Sequence, residues 1–191
     1  PRPEIFKTYY PIGPVVVFTP SNFPLAFSTA GSDTISALAA GCPVIVKSHS
    51  MHSGTGELIS YAINKALKKT RMPDGIFSNL NGKENEVGEF LVKHPKISGV
   101  GFSGSLKGGR ALIEFANNRS NPIPVFAEMG SINPIVIMDG ALEQENKKLI
   151  DKISSSITLG AGQFCTNPGL IIVKDSSLSD KFINDLSLNG P

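Results

Sequence analysis

From Val15 onward, short β-branched runs alternate with stretches of helical spacing, and few folds accommodate such an alternation. VVVF (15–18) precedes a helical pattern around residues 25–40, and VIVK (44–47) precedes another over 54–69. GIFSNL (75–80) precedes 84–93, ISGVGF (97–102) precedes 106–117, and VFAEM (125–129) follows. Strands separated by helices of this length are joined by crossovers, and a crossover brings the next strand in parallel. The expected class is therefore α/β, with a parallel sheet.

After Met129 the rhythm changes. PIVIM (134–138) is a second kind of apolar strand, residues 141–160 have helical spacing, and LIIVK (170–174) is a further strand. A break near Gly130 is expected, dividing the chain into residues 1–130 and residues 131–191, the second part opening another α/β lobe. With 191 residues the chain is long enough for one sizeable core and part of a second. It begins without Met and stops at LSLNGP, so a piece of a longer protein is expected.

Several function classes are disfavoured at this stage. The net charge is +2, and the densest basic cluster, KALKKTR (65–71), suits the solvated C-terminal end of a helix better than a nucleic-acid patch. No apolar run approaches the roughly 18 residues of a membrane span. The two cysteines, Cys42 and Cys165, are too few for a disulfide framework and suit a reducing cytoplasm. His49, His52 and His94 lack the neighbouring carboxylates or thiols of a metal site, so no metal is expected.

Ligands of open parallel sheets sit beyond the carboxyl ends of the strands. The polar stretches there are TPSNFP (19–24), KSHS (47–50), SGSLKGG (103–109) and Glu128. SGSLKGG opens a helix directly after a strand. Gly104, Ser105 and Gly109 would let backbone N–H groups and the helix dipole approach a phosphate, or would simply make a tight turn with Ser105 as N-cap. Asn22 is either a turn former or an amide aimed at an oxyanion. Lys47 is a strand-end lysine raised in interest by its place at a ligand edge. Glu128 by itself reads as a strand-end surface glutamate; a partly buried carboxylate there would suit a general base. Cys42 lies between a small-residue helix end and a buried strand, where a structural thiol is expected. Cys165, in GAGQFCTNPG (160–169), sits among glycines that bury little, so it is the plausible nucleophile.

Taken in order, TPSNFP, AAGCPVIVK, GFSGSLKGG, AEMGSINP and GQFCTNPG resemble the aldehyde dehydrogenase superfamily over essentially the whole chain. The resemblance implies a Rossmann-like cofactor domain (1–130) followed by the start of a catalytic domain (131–191). It implies Cys165 as nucleophile, Glu128 as general base and Asn22 as oxyanion donor. It places Thr19, Pro20, Lys47, Ser50, Gly104, Ser105 and Gly109 at a site for NADP or NAD. Many NAD-preferring members carry a glutamate three residues after the lysine, where this chain has Ser50; with Lys83 in the next connection, that suggests tolerance of a 2′-phosphate. AEMGSINP and GQFCTNPG look most like the branch that oxidises 2-oxoglutarate semialdehyde.

The expected function is oxidation of an aldehyde to its acid through a thioester on Cys165, by a cytoplasmic enzyme that is a homo-oligomer at full length and has no nucleic-acid or membrane partner. The 191 residues alone are expected to be inactive. One alternative is a relative that passes the thioester to coenzyme A, against which Glu128 speaks. The other is a non-catalytic fragment that binds only a nucleotide or a partner chain.

Overall fold

The computed structural model describes residues 2–82, 85–144 and 146–189. The chain divides into two compact units, Pro1–Met129 and Gly130–Pro191.

The first unit is a five-stranded parallel sheet in the order β3-β2-β1-β4-β5. Its strands are β1 (Val15–Phe18), β2 (Val44–Lys47), β3 (Phe77–Leu80), β4 (Gly99–Ser103) and β5 (Val125–Glu128). Its helices are α1 (Ser32–Ala39), α2 (Ser53–Lys69), α3 (Asn85–Lys93) and α4 (Leu106–Asn117). Because side chains alternate along a strand, the central β1 feeds two cores. Val16 and Phe18 pack with Leu91, Val92, Val100, Leu112 and Ala116, on the side of α3 and α4. Val15 and Val17 pack with Cys42, Val44, Val46 and Phe77, joined by Ala37 and Leu38 of α1 and Ile63 and Leu67 of α2. All four β1 residues are buried, as a strand with helices on both faces requires. Cys42, 4% exposed, is a core residue in keeping with its structural reading.

Helix α1 is much shorter than its 25–40 pattern suggests. Gly31, extended at φ −73° and ψ −179°, stands at the N-cap, and residues 24–30 turn rather than coil. A Cβ on Gly31 would lie 2.6 Å from the backbone of Phe27, which cannot rotate away as a side chain would. Gly31→Ala is therefore expected to cost about 1–3 kcal/mol of stability. Gly54→Ala, at a helical position where nothing lies within 4 Å, should be neutral or stabilise by up to about 1 kcal/mol. Urea unfolding midpoints check both; equal midpoints for the two variants would refute the steric account.

The second unit pairs β6 (Pro134–Ile137) with β7 (Leu170–Val173) in parallel. Helices α5 (Asp139–Gln144), α6 (Asn146–Thr158) and α7 (Ser177–Asn189) complete it. Ile137, Leu142, Ile150, Ile153 and Phe182 form its core. Among the described residues, the helical spacing expected over 141–160 is taken up by α5 and α6. The second ends at Thr158, because Gly160 and Ala161 take left-handed backbone at φ 61° and 57° within the 3-10 turn Leu159–Gly162.

Candidate functional site

Consecutive strands run β1, β2, β3 to one side of the sheet and β4, β5 to the other, so the order reverses between β1 and β4, where an open sheet leaves a crevice at its carboxyl edge. Thr19 and Pro20 follow β1, Lys47 ends β2, Gly104 and Ser105 follow β4, and Glu128 ends β5. The first unit thus gathers these candidates along one edge. Asn22, half-buried, lies on the loop after β1, and Ser50, exposed, opens the 3-10 turn Ser50–His52 after β2. Lys83 lies outside the described residues.

The loop after β1 is tied to the end of β2. The His49 backbone N–H donates to Thr19 Oγ1 at 2.9 Å, and His52 Nε2 lies 2.8 Å from the Pro20 carbonyl oxygen, to which it must donate. Beneath them Ser48 Oγ donates to Asn79 Oδ1 at 2.7 Å and lies 3.3 Å from Thr29 Oγ1, a buried polar layer linking β2, β3 and the approach to α1. His49 and His52 thus have structural work. Among the described residues no group of three or more His, Cys, Asp or Glu is placed to hold a metal ion. No helix of the described residues is long and apolar enough to cross a membrane.

Electrostatics at this edge follow burial. Lys47, half-buried, is held below the ordinary lysine range by desolvation. Desolvation also lowers His49, helped by the nearby His52 and Lys47. Asp33 lies in the first turn of α1. It is half-buried beside β4, where a Cβ on Gly101 would sit 3.3 Å from its own Cβ. Burial raises its carboxyl above the usual range, the Glu128 carboxylate pushes it further up, and a hydrogen bond with Ser103 opposes both. Sequence spacing offers no signal for that carboxylate pair, because α1 and β5 meet only through the strand order. Glu128 is exposed, as its plain strand-end reading holds, and the burial considered for a general base is absent. Strand β5 lies at the edge of the sheet, beside β4 alone, and its burial alternates between half-buried and exposed.

At the start of α4, Ser105 Oγ accepts from the Gly108 N–H at 3.1 Å, so the N-cap reading holds. The Gly104 N–H donates to the Glu128 carbonyl at 3.0 Å. A Cβ on Gly104 would lie 2.7 Å from the Phe102 ring, and one on Gly109 would lie 2.5 Å from Met129 Sδ. A side chain at either position would therefore displace Phe102 or Met129, whether or not a phosphate approaches. The α4 N-terminus still has the chemistry an anion needs: first-turn N–H groups without intrahelical acceptors, at the positive end of a 12-residue helix. With Lys47 half-buried two strands away, this donor set fits a dinucleotide laid across the switch point.

In the second unit, Cys165 is a free, exposed thiol on the loop between the 3-10 turn and β7. Asn133 and Asn167, neither of them singled out in the sequence, make the hydrogen bonds that shape this loop. Asn133 Nδ2 donates to the Cys165 carbonyl at 2.6 Å and to the Asn167 carbonyl at 3.0 Å. Asn167 Oδ1 accepts the Phe164 N–H at 3.1 Å.

The chain is similar to known proteins over nearly all its length. The family model described as the Aldehyde dehydrogenase family matches residues 1–188. Alpha-ketoglutaric semialdehyde dehydrogenase 2 of Azospirillum brasilense is 53% identical over 182 residues, 95% of this chain and 35% of that protein. Alpha-ketoglutaric semialdehyde dehydrogenase of Acinetobacter baylyi is 49% identical over 186 residues, 97% of this chain and 35% of that protein. Among solved structures, glyceraldehyde-3-phosphate dehydrogenase GapN of Methanocaldococcus jannaschii, complexed with NADP, aligns with a TM-score of 0.79 at 28% identity, covering 94% of this chain and 37% of that one. NAD-dependent aldehyde dehydrogenase of Sinorhizobium meliloti aligns at 0.76 and 26% identity, covering 93% and 33%. The chain spans about a third of the length of the relatives it matches.

Proposed function

The chain belongs to the aldehyde dehydrogenase family, and we propose that the protein carrying it oxidises 2-oxoglutarate semialdehyde to the dicarboxylic acid with NADP or NAD. The observation that carries this reading is the 53% identity, over 95% of the chain, to a relative named for that substrate. Residues 1–130 would form the cofactor-binding portion and residues 131–191 part of the catalytic portion.

Each proposed role follows from residue chemistry. The Cys165 thiolate attacks the aldehyde carbon, which its exposure permits. Asn22 and the Cys165 backbone N–H donate to the oxyanion that forms. A bound NAD or NADP would supply the hydride acceptor that turns the Cys165 thiohemiacetal into a thioester. Glu128, exposed to solvent at the strand end, takes a proton from water as that water attacks the thioester, releasing the acid and restoring the thiol. Thr19, Pro20, Lys47, Ser50, Gly104, Ser105 and Gly109 would line the dinucleotide, with Lys47 and the α4 N-terminus as its positive elements.

The substrate reading is tested by comparing kcat/KM for 2-oxoglutarate semialdehyde with that for pentanal, which has the same chain length and no charge. A ratio of at least about tenfold in favour of the semialdehyde is expected. Equal values would overturn the substrate while leaving aldehyde oxidation standing.

A further inference from the structure

We propose that Asn133 and Asn167 are positioning residues for Cys165, their side-chain amides clamping the peptide groups on both sides of the thiol; the proposal rests on the reading of Cys165 as the attacking group. The Cys165 side chain is exposed, so the location of its sulfur depends on the backbone that carries it.

That backbone is held from two directions. Asn167 Nδ2 lies 3.0, 2.8 and 2.9 Å from the carbonyl oxygens of Ser156, Ile157 and Leu159. Ser156 and Ile157 lie in the last turn of α6, whose carbonyls a helix cannot satisfy by itself, and Leu159 opens the 3-10 turn that follows. With its Oδ1 accepting from the Phe164 N–H, one side chain hangs the segment before Cys165 from the end of α6. On the other side Asn133, just before β6, donates to the carbonyls of Cys165 and Asn167 across 32 and 34 residues of sequence. The Gly169 N–H donates to the Ile132 carbonyl at 2.7 Å and fixes the base of the loop next to Asn133. The Cys165 carbonyl contact at 2.6 Å is the shortest of the set and orients the peptide plane that follows the nucleophile.

Asn133 also occupies left-handed backbone at φ 46°, a region that asparagine, aspartate and glycine tolerate. This separates the amide from the backbone. Asn133→Gly keeps the left-handed conformation and deletes the donor. Asn133→Asp keeps it too, but turns an acceptor toward two carbonyl oxygens. A residue needed only for its backbone would tolerate both changes.

The test is pre-steady-state cofactor reduction by a full-length enzyme carrying these residues, with thermal midpoints measured alongside. The burst rate constant is expected to fall about 10-fold in Asn133→Gly and about 100-fold in Asn133→Asp, with burst amplitude per folded protein preserved. Burst rate constants within about twofold of wild type in both variants, or a reduced amplitude at an unchanged rate constant, would overturn the clamp. If Asn133→Asp loses its cooperative thermal transition, Asn133→Gly decides alone. Cys165→Ala is run in parallel. Residual oxidation there would refute the nucleophile itself, whereas an inactive Cys165→Ala with unaffected Asn133 variants would refute the clamp only.

Discussion

Cys165→Ala is expected to lower aldehyde oxidation at least about 1,000-fold in a full-length enzyme carrying these residues, while Glu128→Gln stops steady turnover but leaves a first burst of reduced cofactor. The two outcomes differ because the residues act on opposite sides of the thioester. Without the sulfur there is no covalent adduct from which hydride can depart. With glutamine at 128, attack and oxidation proceed, and the enzyme halts as an acylated form because an amide cannot take the proton from the attacking water. Steady turnover of Glu128→Gln should therefore fall by about 100- to 10,000-fold, with a burst close to one equivalent per site. Glutamine matches glutamate in shape, and position 128 is exposed at the end of the edge strand, so misfolding does not account for such a loss. Mass spectrometry of the halted enzyme should find the acyl group on the peptide containing Cys165. A Glu128→Gln enzyme that binds cofactor yet gives no burst would assign Glu128 to an earlier step, and a normal steady rate would remove it from the mechanism.

The inner strands of the first unit, β1, β2 and β4, are legible in the sequence because each is a short, largely apolar run whose residues are buried or half-buried, so burial and pattern coincide. Val15 to Phe18 is the clearest case, with every second residue assigned to a different core. Helix α7 is not legible. Its sequence SLSDKFINDLSLN is rich in Ser, Asp and Asn, which favour caps and turns, and its placement depends largely on Phe182, which is 1% exposed in a core built from residues far away in sequence. The early end of α1's pattern is hidden for a similar reason, since only the approach of the Phe27 backbone shows why residue 31 has no side chain.

At the proposed site, motif spacing pointed to Cys165, Glu128 and Asn22, and gave no sign of the long-range contacts around them. Gly104 and Gly109 drew attention as phosphate-loop glycines, yet their missing Cβ atoms make room for Phe102 and Met129. Asn133 reaches Cys165 across 32 residues, and Asp33 reaches the neighbourhood of Glu128 through the strand order. Contacts of this kind have no period and no local signature, so they become visible only once the chain is folded.

Cofactor choice is proposed to depend on Ser50. Ser50 follows the end of β2 by three residues and opens the 3-10 turn leading into α2, exposed and uncharged, with half-buried Lys47 on the preceding strand. A dinucleotide lying across the carboxyl edge would bring its adenosine ribose toward the end of β2. There a 2′-phosphate would meet a cation and a hydroxyl donor, with no carboxylate supplied by this turn. Ser50→Glu places a negative charge beside a group that carries nearly two, a repulsion of about 1–3 kcal/mol at an exposed position where water and salt screen it. It also offers the unphosphorylated ribose an acceptor for its hydroxyls, so the two cofactors should respond in opposite directions. The wild type is therefore expected to use NADP at least as well as NAD, and Ser50→Glu to shift the kcat/KM ratio toward NAD by about 10- to 100-fold. The repulsive part should weaken as salt rises, because exposed charges are screened within about 10 Å at 0.1 M. A wild type already strongly selective for NAD, or a variant whose ratio does not move, would show that the ribose end is read elsewhere in the protein.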